Sequence, residues 1–179
     1  QIAGAMRGLM QASGGGALGL FTSIARMRQV HGLIAEDLER AGMTLLAQHI
    51  DASDPGSLIE MFRSDTHACL IGTDALRDGI DVPGLALRMV IMDRVPGPRP
   101  PSIHKARREA FGGRLYDEQL VRFKLRQAFG RLIRRHDDRG VFVMLDSALP
   151  TRLTRAFPGG LPIERLGLQD ALAEISSFF

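Results

Sequence analysis

The chain has no tryptophan and one cysteine, and only Lys105 and Lys124 are lysines among its 23 basic residues. The single thiol, Cys69, lies in the apolar run 67–71. It rules out an internal disulfide and a cysteine-ligated iron–sulfur cluster built from this chain, and it suits a buried thiol in a reducing compartment, with the cytoplasm as the expected location. No apolar run approaches the length of a membrane span, so no membrane partner is expected. There is no Gly-x-x-x-x-Gly-Lys-Ser/Thr loop and no Asp-Glu-x-His box, which excludes a self-made phosphate cradle of that kind. His49, His67 and His136 share no metal-ligand spacing, and no metal site is expected. The opening Gln-Ile-Ala-Gly resembles neither a signal peptide nor a natural initiation, so the chain is expected to be an internal portion of a longer protein.

What is present describes a globule. The 179 residues suit one domain, 45% of them are apolar, and the mean hydropathy is close to zero. The net charge is only +3, but its carriers are almost all arginine. Guanidinium contact with an anion is therefore a fair expectation, and a nucleic-acid surface is suggested.

Apolar periodicity predicts helices over residues 2–11, 24–40, 55–63, 120–135 and 168–175, with strands over 17–21, 44–49, 67–73, 87–92 and 141–145. Thr22 and Ser23 end the first strand and can cap the helix after it. The glycines at 14–16 precede a strand instead of following one, which favours a turn over a phosphate loop. Val-Pro-Gly-Pro-Arg-Pro-Pro at 95–101 is a stiff connector, and residues 102–115 form a basic segment. Strands without strict polar alternation, separated by helices, indicate an α/β fold with a mostly parallel sheet covered by helices on both faces.

The helix at 120–135 organises this pattern. Val121, Leu125, Ala128, Phe129 and Leu132 share one side, while Gln127, Arg131 and Arg134 fall roughly opposite. One face is expected to bind the sheet; the other presents an amide and two fixed cations, either to a phosphate or to solvent. Gly130 lies between them, where glycine costs about 1 kcal/mol relative to alanine. Its missing side chain would let another backbone or a ligand approach.

In parallel sheets ligands sit at the carboxyl ends of strands, which here carry Thr22-Ser23, Gly72-Thr73-Asp74 and Asp146-Ser147. The loop GTDALRDGIDVPG at 72–84 adds Asp74, Asp78 and Asp81. These carboxylates could bond a ribose, coordinate an ion through water, order nearby arginines, or simply cap local turns.

That loop, followed after some forty residues by QAFGRLIRR, resembles motifs V and VI of superfamily 2 helicases. Within them it is similar to the XPD/DinG-type DNA helicases, and LGLFTS at 18–23 is similar to their motif IV. The family's aromatic pair and acid before the motif V glycine are replaced here by Leu76, Arg77 and Asp78, as in a divergent subgroup. The resemblance implies that residues 1–179 form the second RecA-like motor domain, a three-layer sandwich. It implies that Gln127, Gly79, Asp81, Arg131 and Arg134 face ATP and Mg2+ held mainly by an N-terminal RecA-like domain of the same protein. Arg134 would be the finger on the γ-phosphate with Arg131 as its neighbour. Thr22, Ser23, Gly72 and Thr73 would lie toward single-stranded DNA.

From Lys105 to Arg139 eleven basic residues face five acidic ones, a fitting composition for a phosphate-tracking groove. Lys105 and Arg108 are its candidate contacts. Two rival readings stay open: a non-catalytic nucleic-acid-binding or protein-interaction module of this fold, and a self-contained small-molecule enzyme using Asp74, Asp78 and Asp81.

Overall fold

The structure is a computed structural model that describes residues 2–73, 76, 80–96, 106–107, 109–110, 113–146 and 149–179. In chain order come α1 (Ile2–Ser13), β1 (Ala17–Phe21), α2 (Ile24–Arg40), β2 (Thr44–Ala47), α3 (Pro55–Ser64) and β3 (Ala68–Thr73). A 3-10 turn (Gly84–Ala86), β4 (Met89–Met92), α4 (Arg114–Leu132), β5 (Val141–Met144), a second 3-10 turn (Thr151–Ala156) and α5 (Leu168–Phe178) follow.

The strands form one sheet in the order β2-β3-β1-β4-β5, and each pairing is parallel. Leu18 of the central β1 sits between Leu70 of β3 and Val90 of β4. Successive side chains point to opposite faces, so two apolar layers grow from the same strands. Leu18, Leu20, Leu70, Val90 and Met92 meet α3, α4 and the segment after β3 through Leu58, Phe62, Leu76, Ile80 and Leu125. Ala17, Phe21, Cys69, Ile71, Met89 and Ile91 meet α1, α2 and α5 through Met6, Leu9, Ile34 and Ile175. Both faces are covered, which is why β1 and β4 are buried at every residue and no polar alternation appears in them. The α/β sandwich read from the sequence is the fold observed. Burial also pushes the Cys69 thiol up to about 12, so the buried, protonated thiol expected of it is what the core contains.

Local chemistry sets the joints. Ser23 caps α2 by accepting the Arg26 N–H at 3.3 Å, and Asp54 caps α3 by accepting the Ser57 N–H at 2.7 Å, with Pro55 in the first turn. The glycines at 14–16 are all left-handed (φ 72°, 117° and 61°). A Cβ on Gly15 would stand 2.6 Å from the His67 backbone, so this is a tight turn against the chain and not a ligand loop.

Several element ends differ from expectation by a few residues, and β2 and α4 are the two that bear on the site. Strand β2 stops at Ala47, because the Asp51 carboxylate accepts the Ala47 N–H at 2.9 Å and His49 turns left-handed (φ 68°). Helix α4 begins at Arg114 and ends at Leu132, earlier at both ends than the stretch 120–135. Its inward stripe is the expected one: Val121, Leu125, Ala128, Phe129 and Leu132 are buried. Phe129 then packs with Phe142 of β5 and Phe157 beyond the second 3-10 turn, with ring centroids 5.3–6.0 Å apart within the trio. Among the described residues no helix is long and apolar enough to cross a membrane.

Candidate functional site

The candidate residues fall at two opposite edges of the sheet. At the amino edge, Leu132, Gly140 and the Arg88 carbonyl come together, so the end of α4 lies where β4 and β5 begin. Here Ile133 is extended (φ −114°, ψ 103°), and Arg134 therefore leaves the helix instead of continuing its polar face. The backbone N–H groups of Arg134 and Arg135 both donate to the Asp138 carboxylate at 2.8 Å. Those two bonds hold Asp138 below the usual carboxylate range and fix the turn that aims Arg134.

Three guanidinium groups then meet one short stretch of the loop after β3. Arg131 donates to the Ile80 carbonyl at 3.2 Å, Arg134 pairs with the Asp81 carboxylate, and Arg63, from the last turn of α3, donates to the Asp81 carbonyl at 2.5 Å. Asp81 keeps 77% of its side chain exposed, so the cluster opens to solvent. Gln127 is half-buried one helical turn before Arg131. A Cβ on Gly130 would meet nothing within 4 Å among the described residues.

Arg131 and Arg134 therefore lie away from the carboxyl ends of the strands, where the rule for parallel sheets places ligands. Thr73 ends β3 at the carboxyl edge, whereas Asp81 lies with Arg63 and Arg134 at the amino edge. Leu76, Ile80 and Val82 are buried. The two motifs meet, but they meet at the amino edge.

The carboxyl edge is built differently. Asp93, directly after β4 and 1% exposed, accepts the Thr22 N–H at 3.2 Å and the Arg26 guanidinium at 3.3 Å. Burial raises its pKa above the ordinary value, opposed by the Thr22 N–H and by the charges of Arg26 and Arg94. Gln48, directly after β2 and 6% exposed, accepts both the N–H and the hydroxyl of Thr73, at 2.9 and 3.3 Å. Asp146, after β5, accepts the Val95 N–H at 3.0 Å. The ends of β1, β3 and β4 are thus each held by a polar side chain that follows the neighbouring strand. The Thr22 and Thr73 amides are consequently spent within the chain, and hydroxyls are what this edge can turn toward a ligand.

Gly72, a candidate contact in the sequence, is buried: a Cβ there would stand 2.7 Å from the Gln48 amide oxygen. The glycine leaves room for the Leu76 side chain as well as for Gln48. Gly79, Lys105 and Arg108, with Asp74 and Asp78, lie outside the described residues. Sequence reasoning missed Gln48, Asp93, Arg63 and Asp138. The one available signal was a polar residue immediately after an apolar strand, as in LLAQ and MVIMD. Among the described residues no group of three or more His, Cys, Asp or Glu is placed to hold a metal ion.

Comparison with known proteins decides the family. The profile of the helicase C-terminal domain matches residues 6–163. The chain belongs to the helicase C-terminal domain family. Within this family it is a motor domain of the XPD/DinG type. It is 37% identical over 150 residues to the ATP-dependent helicase DinG of Mycobacterium tuberculosis, covering 80% of this chain and 22% of that protein. To the ATP-dependent DNA helicase YoaA of Escherichia coli it is 37% identical over 159 residues, 85% of this chain and 24% of that protein. The 3'-5' exonuclease DinG of Bacillus subtilis is 33% identical over 153 residues, 80% of this chain and 16% of that protein. The chain thus spans about a quarter or less of the length of these relatives. A solved XPD helicase shares the fold, with a TM-score of 0.57 at 20% identity over 78% of this helicase C-terminal domain and 26% of that chain.

Proposed function

We propose that this chain works as the second RecA-like motor domain, residues 1–179, of an ATP-dependent DNA helicase, most of which lies outside it. The amino edge meets the nucleotide and the carboxyl edge forms part of the single-stranded DNA track. Convergence of Arg131 and Arg134 on residues 80–81 carries the reading, because it joins two distant helicase motifs in one exposed cationic cluster.

ATP with Mg2+, held mainly by an N-terminal RecA-like domain of the same protein, would supply the phosphoryl group to be transferred. This chain's part is electrostatic. Charge grows on the γ-phosphate oxygens as the bond to the leaving oxygen breaks, and a cation brought in by domain closure stabilises it. Arg134 is the finger, Arg131 its neighbour, and Gln127, Gly79 and Asp81 complete the nucleotide side. The Arg134–Asp81 pair is exposed, and such pairs contribute about 0–1 kcal/mol, so a triphosphate can take Arg134 from Asp81 at little cost. Gly130 fits the same picture, since the space beside it is available to the facing domain. At the other edge Thr22, Ser23 and Thr73 offer hydroxyls to backbone phosphates, and Lys105 and Arg108 join the track on the strength of local charge. The cytoplasm is the compartment in which such a protein with one buried thiol would work.

The test is Arg134→Ala in the full-length protein. DNA-stimulated ATP turnover should fall on the order of a thousandfold while nucleotide affinity changes by less than about threefold. A non-catalytic module of this fold would show the same negligible turnover before and after the substitution.

A further inference from the structure

We infer that Gln48 is a positioning residue for the nucleic-acid edge, whose amide oxygen competes with a strand phosphate for the hydroxyl proton of Thr73. The inference rests on reading that edge as a single-stranded DNA track.

Gln48 is anchored at its own backbone, where its N–H donates to the Ile71 carbonyl at 2.9 Å. Its side chain folds back over the end of β3, and the Thr73 N–H donates to Oε1 at 2.9 Å. An N–H can face only an acceptor, so this bond fixes which end of the amide points at Thr73. The Thr73 hydroxyl shares the same oxygen at 3.3 Å. A hydroxyl has a single proton. While that proton points at Gln48, Thr73 offers a phosphate only lone pairs, and its amide is also engaged.

The two bonds are unequal. The amide contact has an ordinary length, whereas the hydroxyl contact is long for an O–H donor and correspondingly weak. An anionic phosphate oxygen is a stronger acceptor than a neutral amide oxygen. A phosphate arriving at this edge therefore draws the hydroxyl off Gln48 by rotation about one bond and leaves the Thr73 backbone clamped. Gly72 keeps Gln48 in place, because a side chain there would stand 2.7 Å from Oε1. The neighbouring strand end lacks this sharing: the Thr22 amide is held by Asp93 through a separate carboxylate. Gln48 thus sets how firmly Thr73 grips a strand and returns the hydroxyl to its resting partner when the strand leaves.

The experiment measures the dissociation constant of a labelled single-stranded oligothymidylate with full-length protein in a double-mutant cycle. Gln48→Met and Gln48→Leu remove the competing acceptor, and each should tighten binding about threefold, the net worth of one neutral hydrogen bond. Thr73→Val should weaken binding and abolish the effect of both Gln48 substitutions, while Thr73→Ser, which keeps the hydroxyl, should restore it. If Thr73→Val leaves affinity unchanged, the DNA reading of this edge fails. If Thr73→Val weakens binding but the Gln48 substitutions weaken it too, or act equally in the valine background, the role given to Gln48 is overturned and the DNA reading stands.

Discussion

The two edges of the sheet use polar residues in opposite ways. At the carboxyl edge Gln48 and Asp93 are buried and point inward, and their acceptors are consumed by the amides of neighbouring strands. At the amino edge Asp81, Arg134 and Arg63 are held by exposed contacts around a loop. A buried acceptor is costly to leave unmet and so fixes geometry. An exposed ion pair exchanges partners easily. One edge is built to stay in place, and the other to let go, which suits a strand guide and a finger that must find and release a phosphate at every turnover.

Replacing a clamp should break this contrast most visibly. Asp93→Leu removes the acceptor of the Thr22 N–H and the partner of Arg26, and it should lower the unfolding free energy by about 1–3 kcal/mol in urea. Asp81→Asn at the other edge should change it by less than about 0.5 kcal/mol, since the pair it breaks is exposed.

Gly130→Ala sharpens the comparison in the other direction. With open space around its Cβ and a helical backbone, alanine should stabilise this chain by about 0.4–1 kcal/mol in the same assay. On the proposed reading that side faces the partner domain, so ATP turnover of the full-length protein should fall although stability rises.

Acid separates the edges by sign. Asp138 lies below its ordinary 3.8 because two backbone N–H groups bond its charged form. The folded chain therefore binds fewer protons than the unfolded one, and this contribution is present above 3.8 and lost as the pH falls through the folded value. Asp93 lies above 3.8 because it is buried, so between 3.8 and its raised value the folded state binds more protons and stability declines as the pH rises. Urea unfolding between about pH 3 and pH 6 should show Asp138→Asn flattening the acid side and Asp93→Asn flattening the opposing decline.

The difference between the edges also explains what could be read beforehand. The inward stripe of α4 was legible because Val121, Leu125, Ala128, Phe129 and Leu132 repeat at helical spacing, and a repeat needs no knowledge of partners. The parallel sheet was legible from unbroken apolar strands. Arg134 was assigned to the helix because nothing in QAFGRLIRR announces that Asp138 will bind the next two amides and end α4 at Leu132. The strand-end rule sent the search to the carboxyl edge for the loop 72–84. It could not register that Asp81 lies with Arg134 and Arg63 at the amino edge. Gln48 and Asp93 read as ordinary loop polars, since whether such a residue folds inward depends on which strand lies beside it, and strand order is a tertiary fact.

Hydrogen exchange on the full-length protein tests the division of labour most directly, because it reports backbone protection at each edge separately. A non-hydrolysable ATP analogue should protect residues 80–82 and 131–138, and single-stranded DNA without nucleotide should protect residues 22–26 and the end of β3. Protection of residues 131–138 by DNA alone, or of residues 22–26 by nucleotide alone, would contradict the account.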